Sequence, residues 1–248
     1  MSTVPVTLPD GSVHDIAPGV SAGEVLRDSL GKGGIAALID GVEVDLATPI
    51  SSACTIDQIL PDSDSGLYIL RHSCAHLLAQ AVTQLHPCAK PTIGPPIEHG
   101  FYYDFHMEPL GEEELRAIEK RMKELIKQNL PLTREEHDAS SLAAMFSDNP
   151  FKTEIIDEKL EAGAGSSVYR QGDFVDLCRG PHVPSTAALR WFKLTSTSTA
   201  FWRADSNREQ LVRIYGMCYG NKQDLQARQT LLREAGQRDH RKLGKDLQ

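Results

Sequence analysis

Aromatic side chains are scarce in this sequence, at 6% of 248 residues, and cationic ones are outnumbered, leaving a formal net charge of −8. That balance speaks against broad, non-specific attraction to a polyanion. No stretch approaches the roughly 18 consecutive apolar residues that a membrane span needs. The N-terminus, Met1-Ser2-Thr3-Val4-Pro5-Val6, has neither the basic nor the apolar segment of a signal peptide. There is no CxxC pair. The five cysteines, Cys54, Cys74, Cys88, Cys178 and Cys218, are odd in number and scattered, which suits a reduced, cytoplasmic protein better than a disulfide framework.

What is present is enough apolar side chain, 40% of residues, for the cores of one or two domains. Charge is uneven. Residues 1–62 carry Arg27 and Lys32 against nine Asp or Glu, a net of −7, whereas residues 222–248 have a net of +3. Contact with phosphate is therefore expected in the middle and C-terminal parts.

Residues 1–62 read as a small domain. Val4, Val6 and Leu8 alternate into the hairpin signal Pro9-Asp10-Gly11, with a return strand from Val13. Ser21-Ala22-Gly23-Glu24 is a capping box opening a helix to Leu30. Ile35–Ile39, Asp40-Gly41 and Val42–Asp45 form a second hairpin, and a short strand is expected near Thr55–Leu60. This ββαββ order with a last short strand describes a ubiquitin-like β-grasp, a fold with many uses. Pro61–Gly66 reads as a linker.

From Leu67 onward the spacing predicts a larger α+β domain: a helix over Ile69–Val82, a strand at Phe101–Phe105 and an amphipathic helix from Glu112 to about Asn129. Next come a short helix over Glu135–Asp148, a strand or strand-like turn at Phe151–Ile156, and a loop over Glu161–Ser167. Val168–Arg170 and Phe174–Cys178 pair around Gly172. Trp191–Leu194 and Ala200–Arg203 bracket a Thr/Ser-rich turn, and Leu211–Gly216 is the last strand. Lys222–Gln248 is polar and helical and stops without a cap, the pattern of a chain that continues. The Phe101–Phe105 aromatics are expected in the core; His99 and His106 are expected to be exposed.

Two histidine-bearing segments stand out. His72 and His76 are four apart on the predicted helix, hence about 40° apart around its axis, with Leu70, Leu77, Leu78, Ala81, Val82 and Leu85 on the other side. Asp176 and Cys178 share a face of the Asp173–Cys178 strand, and Arg179-Gly180-Pro181 turns His182 back toward them. Three readings are open: solvated histidines beside a buried thiol, a tetrahedral zinc site, or a metal-free hydrolytic site in which imidazoles act as acid and base.

Several blocks resemble the N-terminal part of bacterial-type threonyl-tRNA synthetases. They are Arg71–His76, Ile93-Gly94-Pro95 with Gly100–Asp104, Val175–Pro184, Trp202–Ser206, Arg213–Gly216 and Arg238–Gly244. The HxxxH and CxxxH pair alone is shared with alanyl-type editing domains; all these blocks in order behind a β-grasp pattern are far more specific. The resemblance implies a TGS domain (1–62), an editing domain (63–222) and the start of a linker helix (223–248). It implies a class II synthetic core, with its ATP, magnesium and zinc, outside these 248 residues. It further implies hydrolysis of seryl-tRNA(Thr), with the acceptor end of tRNA(Thr) as partner, no cofactor in the editing site, and a monomer here where the whole synthetase is a homodimer. By the same resemblance His72 and Lys152 act on water, ribose hydroxyl and developing charge. His76, Cys178 and His182 shape the pocket, Asp176 binds the seryl amino or hydroxyl group, and Tyr169 belongs to the substrate wall. Composition alone would leave Lys152 on the surface. The alternatives are a non-catalytic tRNA-binding or regulatory module and a free-standing alanyl-type editor.

Overall fold

Val4 and Val6 point inward while Pro5 between them faces out, and β1 (Val4–Thr7) pairs with β2 (Val13–Ile16) as an antiparallel hairpin. The computed structural model describes residues 3–159 and 165–246, except the side chains of residues 159 and 236–246. Ser21 and Glu24 form the reciprocal capping box that opens α1 (Ala22–Leu30). Its apolar side meets Val6, Ala37 and Ile56 in a first core. β3 (Ala36–Ile39), β4 (Val42–Val44) and β5 (Cys54–Ile59) complete a five-stranded sheet of order β2-β1-β5-β3-β4, with β1 and β5 parallel.

The second core is built around α2 (Asp64–Leu85), a 22-residue helix capped by Ser63. Behind it lies a sheet made of β6 (Lys90–Pro91), β7 (Pro96–Ile97) and β8 (Gly100–His106), to which later strands add. Then follow α3 (Glu112–Gln128), β9 (Leu132–His137), α4 (Ala139–Met145) and α5 (Pro150–Lys159). β10 (Ser166–Gln171) and β11 (Phe174–Leu177) pair around Gly172, with β9 on the far side of β10. β12 (Phe192–Phe201) and β13 (Gln210–Cys218) extend the β8 sheet in the order β12-β13-β8-β6, and α6 (Lys222–Asp246) follows. The architecture is α+β. Among the described residues no helix is long and apolar enough to cross a membrane.

Four local expectations are corrected. First, Leu85, expected on the buried side of α2, is 42% exposed, whereas residues Ile69 to Val82 are almost all buried because sheets and α3 enclose the helix, which rules out the reading of solvated histidines. A buried glutamine pair ties this helix to the hairpin, Gln80 Nε2 donating to the Gln171 carbonyl at 2.8 Å. Second, Glu135–His137 is not helical but the end of β9; its hydrogen bonds to β10 and the Arg170–Glu135 ion pair hold it extended. The helix starts only after Asp138, whose carboxylate accepts the Ser141 N–H at 2.7 Å.

Third, Phe151–Ile156 lies within α5 rather than a strand. Asn149 Oδ1 accepts the N–H groups of Phe151 and Lys152, and Pro150 occupies the first helical position, where its missing N–H costs nothing. Those start signals override the β-branched pair Ile155-Ile156. Fourth, the Thr/Ser stretch within Phe192–Phe201 is not a turn. It is continuous strand on the sheet edge, with a register shift between Leu194 and Ser196. Threonine suits a half-solvated pleat. Ser166 and Ser167 open β10 instead of closing a loop; residues 161–164 of that expected loop lie outside the described residues, as do the side chains of Arg238–Gly244.

Candidate active site

α2 enters the site from the core side and carries two imidazoles one turn apart, their ring centroids 5.3 Å from each other. β11 runs across it, presenting buried Asp176, and the chain then breaks at Arg179-Gly180-Pro181 to bring His182 under both rings, at 4.4 Å from His72 and 4.3 Å from His76. Gly180 has φ 76, and a Cβ there would lie 1.9 Å from the Tyr169 hydroxyl; glycine is required both by the backbone and by that approach. Cys178 Sγ sits 3.3 Å from His72 Nε2 and 3.2 Å from His182 Nε2. Ser73, which follows His72 on α2, places Oγ 2.9 Å from His182 Nδ1 and accepts the Val183 N–H.

The cation comes from α5. Lys152 is only 4% exposed and pairs with Asp176 Oδ1. Asp176 also accepts the Tyr103 hydroxyl at 2.6 Å and the Leu177 N–H at 2.8 Å. His76 Nε2 is 3.9 Å from the same carboxylate. Three elements that are distant in sequence, β8, α5 and β11, thus meet at one buried carboxylate. His72, His76, Lys152, Asp176 and Cys178 line an open cavity of about 490 Å³, together with Tyr68, Thr92–Pro96, Tyr103 and Arg179.

Burial sets the protonation states. It holds His72 down to about 4, partly offset by the Asp176 charge. It holds His76 down to about 3, against the pull of Asp176. His182 is pushed well below the ordinary range by burial and by the neighbouring imidazoles. All three are neutral at pH 7, so each has a lone pair to offer. Burial pushes the Cys178 thiol up to about 12, so it stays protonated. For Asp176 burial works against ionisation, yet Lys152, His76 and the Tyr103 hydroxyl together hold the carboxyl below its usual range. The result is one fixed ion pair beside neutral acid–base groups.

Of the residues expected from the sequence, His72, His76, Lys152, Asp176 and Cys178 face the cavity. His182 is 1% exposed and stands behind them. Tyr169 does not belong to the wall: its ring packs edge-on against His182 at 4.3 Å, and its hydroxyl turns away to Asp45. Lys152, which composition alone would leave on the surface, is carried inward by α5. Tyr103 was missed. Phe101, Tyr103 and Phe105 do form core as expected, but only Tyr103 has a hydroxyl, and a buried tyrosine needs a partner for it; that was the available signal.

The donor set also bears on a metal. Among the described residues His72, His76, Cys178 and His182 place one ligand atom each within 4.8 Å of one another. Zinc bonds of about 2.0–2.3 Å hold tetrahedral ligands a little over 3 Å apart, so the set fits zinc in donor type, while its spread of up to 4.8 Å is wider than a closed tetrahedron. Among the described residues the ring nitrogen His72 Nδ1 is buried without a hydrogen-bond partner, while Cys178 already contacts two imidazoles and accepts the Gly180 N–H.

Comparison with known proteins first defines a class. Residues 166–215, from β10 into β13 and including Asp176, Cys178 and His182, match the family described as the threonyl and alanyl tRNA synthetase second additional domain. The particular likeness is to threonine–tRNA ligases. The chain is 44% identical over 246 residues to that of Rubrobacter xylanophilus, covering 98% of this chain and 38% of the relative. It is 45% identical over 254 residues to that of Citrifermentans bemidjiense, covering 100% and 40%. It is 43% identical over 250 residues to threonine–tRNA ligase 1 of Bacillus subtilis, covering 98% and 39%. The chain spans about two fifths of the length of the curated relatives it matches. Family and relatives together point to the editing region of threonyl-tRNA synthetases.

Proposed function

We propose that this chain removes serine from mischarged seryl-tRNA(Thr) by ester hydrolysis, as the editing part of a cytoplasmic threonyl-tRNA synthetase whose synthetic core attaches threonine to tRNA(Thr) with ATP. The observation that carries this reading is the convergence of neutral His72, the Lys152–Asp176 pair and Tyr103 on one cavity large enough for an aminoacyl ribose. Residues 1–62 act as a TGS unit of β-grasp type, and the chain is a monomer.

Serine differs from threonine by one methyl, which a pocket distinguishes by only about 1–3 kcal/mol. A second site that admits serine and clashes with the added methyl supplies the missing discrimination. In the reaction a water oxygen adds to the ester carbonyl, the C–O bond to the terminal ribose breaks, and the ribose oxygen leaves with a proton, giving serine and intact tRNA. His72, neutral and lining the cavity, accepts the water proton. Lys152 stabilises the oxyanion as it forms. His76, Cys178 and His182 shape the pocket, and Asp176, already oriented by Lys152 and Tyr103, binds the seryl amino or hydroxyl group.

The test is release of serine against threonine from tRNA(Thr) charged with each, with the chain in excess over RNA. Fast serine release with threonine spared is expected. No release from either, with binding measured independently, leaves a tRNA-binding module instead; release from mischarged tRNA(Ala) points to an alanyl-type editor. We favour metal-free chemistry because Cys178 and the imidazoles satisfy one another directly. The four-atom cluster favours a second reading, in which His72, His76, Cys178 and His182 would hold zinc, which would supply Lewis-acid chemistry at the site. Near-stoichiometric zinc in the purified protein, lost together with activity on chelation, selects that reading.

A further inference from the structure

From the contact between the N-terminal unit and the site, we infer that Asp45 is a positioning residue for the hydrolysis proposed above, and that the N-terminal unit is thereby a working part of the editing site. The inference rests on that reading for its consequence but not for its geometry. Asp45 follows β4 in the first unit. Its Oδ1 accepts the His182 backbone N–H at 2.8 Å, and its Oδ2 accepts the Tyr169 hydroxyl at 2.6 Å. One carboxylate therefore holds both a segment of the break after β11 and the ring that packs against His182.

His182 does not reach the cavity, but it supports what does. Its Nε2 lies 3.2 Å from Cys178 Sγ, and its ring lies under those of His72 and His76. Ser73 holds its Nδ1 side. With Ser73 on one side and Asp45 on the other, the imidazole has little freedom to turn, and the cavity residues above it inherit that order. Asp45 itself is placed firmly. Ile35, Ala36 and Ile59 of the first unit are buried in one continuous core with Ile69 and Leu70 of α2, and Glu43, two residues before Asp45, accepts the Ser65 hydroxyl at the start of α2.

A simple tether between units would affect stability alone. A positioning residue affects the rate, since misplacing reacting groups by about 1 Å costs on the order of a hundredfold. The experiment compares wild type, Asp45→Ala, Asp45→Asn and Ile59→Ala in single-turnover hydrolysis of seryl-tRNA(Thr), with thermal melts of each. Asp45→Ala is expected to lower the maximal rate by about tenfold or more with little change in the half-saturating concentration. Asp45→Asn restores most of it, because the amide oxygen still accepts the His182 N–H while the amide nitrogen donates to the Tyr169 oxygen. Ile59→Ala, which weakens the shared core away from Asp45, lowers the melting temperature and leaves the maximal rate. A wild-type rate in folded Asp45→Ala, or an equal loss in Ile59→Ala, overturns the inference. Hydrogen exchange at the His182 amide supplies an arm that needs no substrate: protection in wild type and its loss in Asp45→Ala are expected. If wild type hydrolyses nothing, the functional reading has failed, and equal His182 exchange in both proteins then overturns the proposed hold of Asp45.

Discussion

His76 is buried in the middle of a core helix, and its neutrality has a measurable consequence. In the folded chain His72 titrates near 4 and His76 near 3, whereas unfolded imidazoles titrate near 6.5. Between those values the unfolded chain binds more protons, so stability rises with pH across that window and is fully present above about pH 6.5. Asp176 adds a loss in the same direction at lower pH, as its carboxyl protonates below the ordinary range. Urea unfolding at about pH 5 is therefore expected to give a lower midpoint than at about pH 7.5, with the gap narrowed in His76→Gln. Gly180 offers a second residue-scale prediction. Alanine there meets the left-handed backbone, which costs roughly 1–2 kcal/mol, and its Cβ also meets the Tyr169 hydroxyl. The expected result for Gly180→Ala is a lowered melting temperature together with loss of hydrolysis.

At the scale of elements, α5 decides whether Lys152 is a surface residue or a site residue. Its start rests on Asn149, which caps the first turn through Oδ1 and anchors to the Pro91 carbonyl through Nδ2 at 2.8 Å. Losing the cap costs about 1 kcal/mol. Because Lys152 is the third residue of the helix, Asn149→Ala should also loosen the Lys152–Asp176 pair, and hydrolysis is expected to fall by more than the melting temperature alone accounts for. A variant as active as wild type in single-turnover assays would show that the pair holds α5 in place rather than the reverse. α2 teaches the complementary lesson. Its histidine spacing was legible, but a helix with apolar residues over most of its surface is a core helix, and a one-sided aliphatic stripe did not show how fully α2 is enclosed.

For the whole molecule, the two cores meet through Ile35, Ala36, Ile59, Ile69 and Leu70, so removing residues 1–62 uncovers apolar surface and frees His182. The first unit is also the most acidic part of the chain, which argues against its making wide phosphate contact. Deletion of residues 1–62 is therefore expected to lower stability and hydrolysis far more than affinity for tRNA. A filter-binding titration checks this, and a large loss of affinity with hydrolysis retained at saturation would reverse the assignment.

The sequence by itself determined what local chemistry encodes. The Ser21–Glu24 box, the Pro9-Asp10-Gly11 and Asp40-Gly41 turns, the apolar stripe of α3 and the four-residue spacing of His72 and His76 all act over a few residues, and all recur in the structure. Motif spacing alone could suggest that His72, His76, Cys178 and His182 share a volume, and the structure brings them within 4.8 Å. Only the tertiary structure decided which faces are buried, because burial depends on the partner that covers an element. It turned a polar helix face into core, drew Lys152 inward on α5, put Tyr103 on Asp176, and sent Tyr169 to Asp45 instead of the cavity. Those contacts join residues tens of positions apart, over 100 for Asp45 with Tyr169 and His182, a separation at which no local pattern acts.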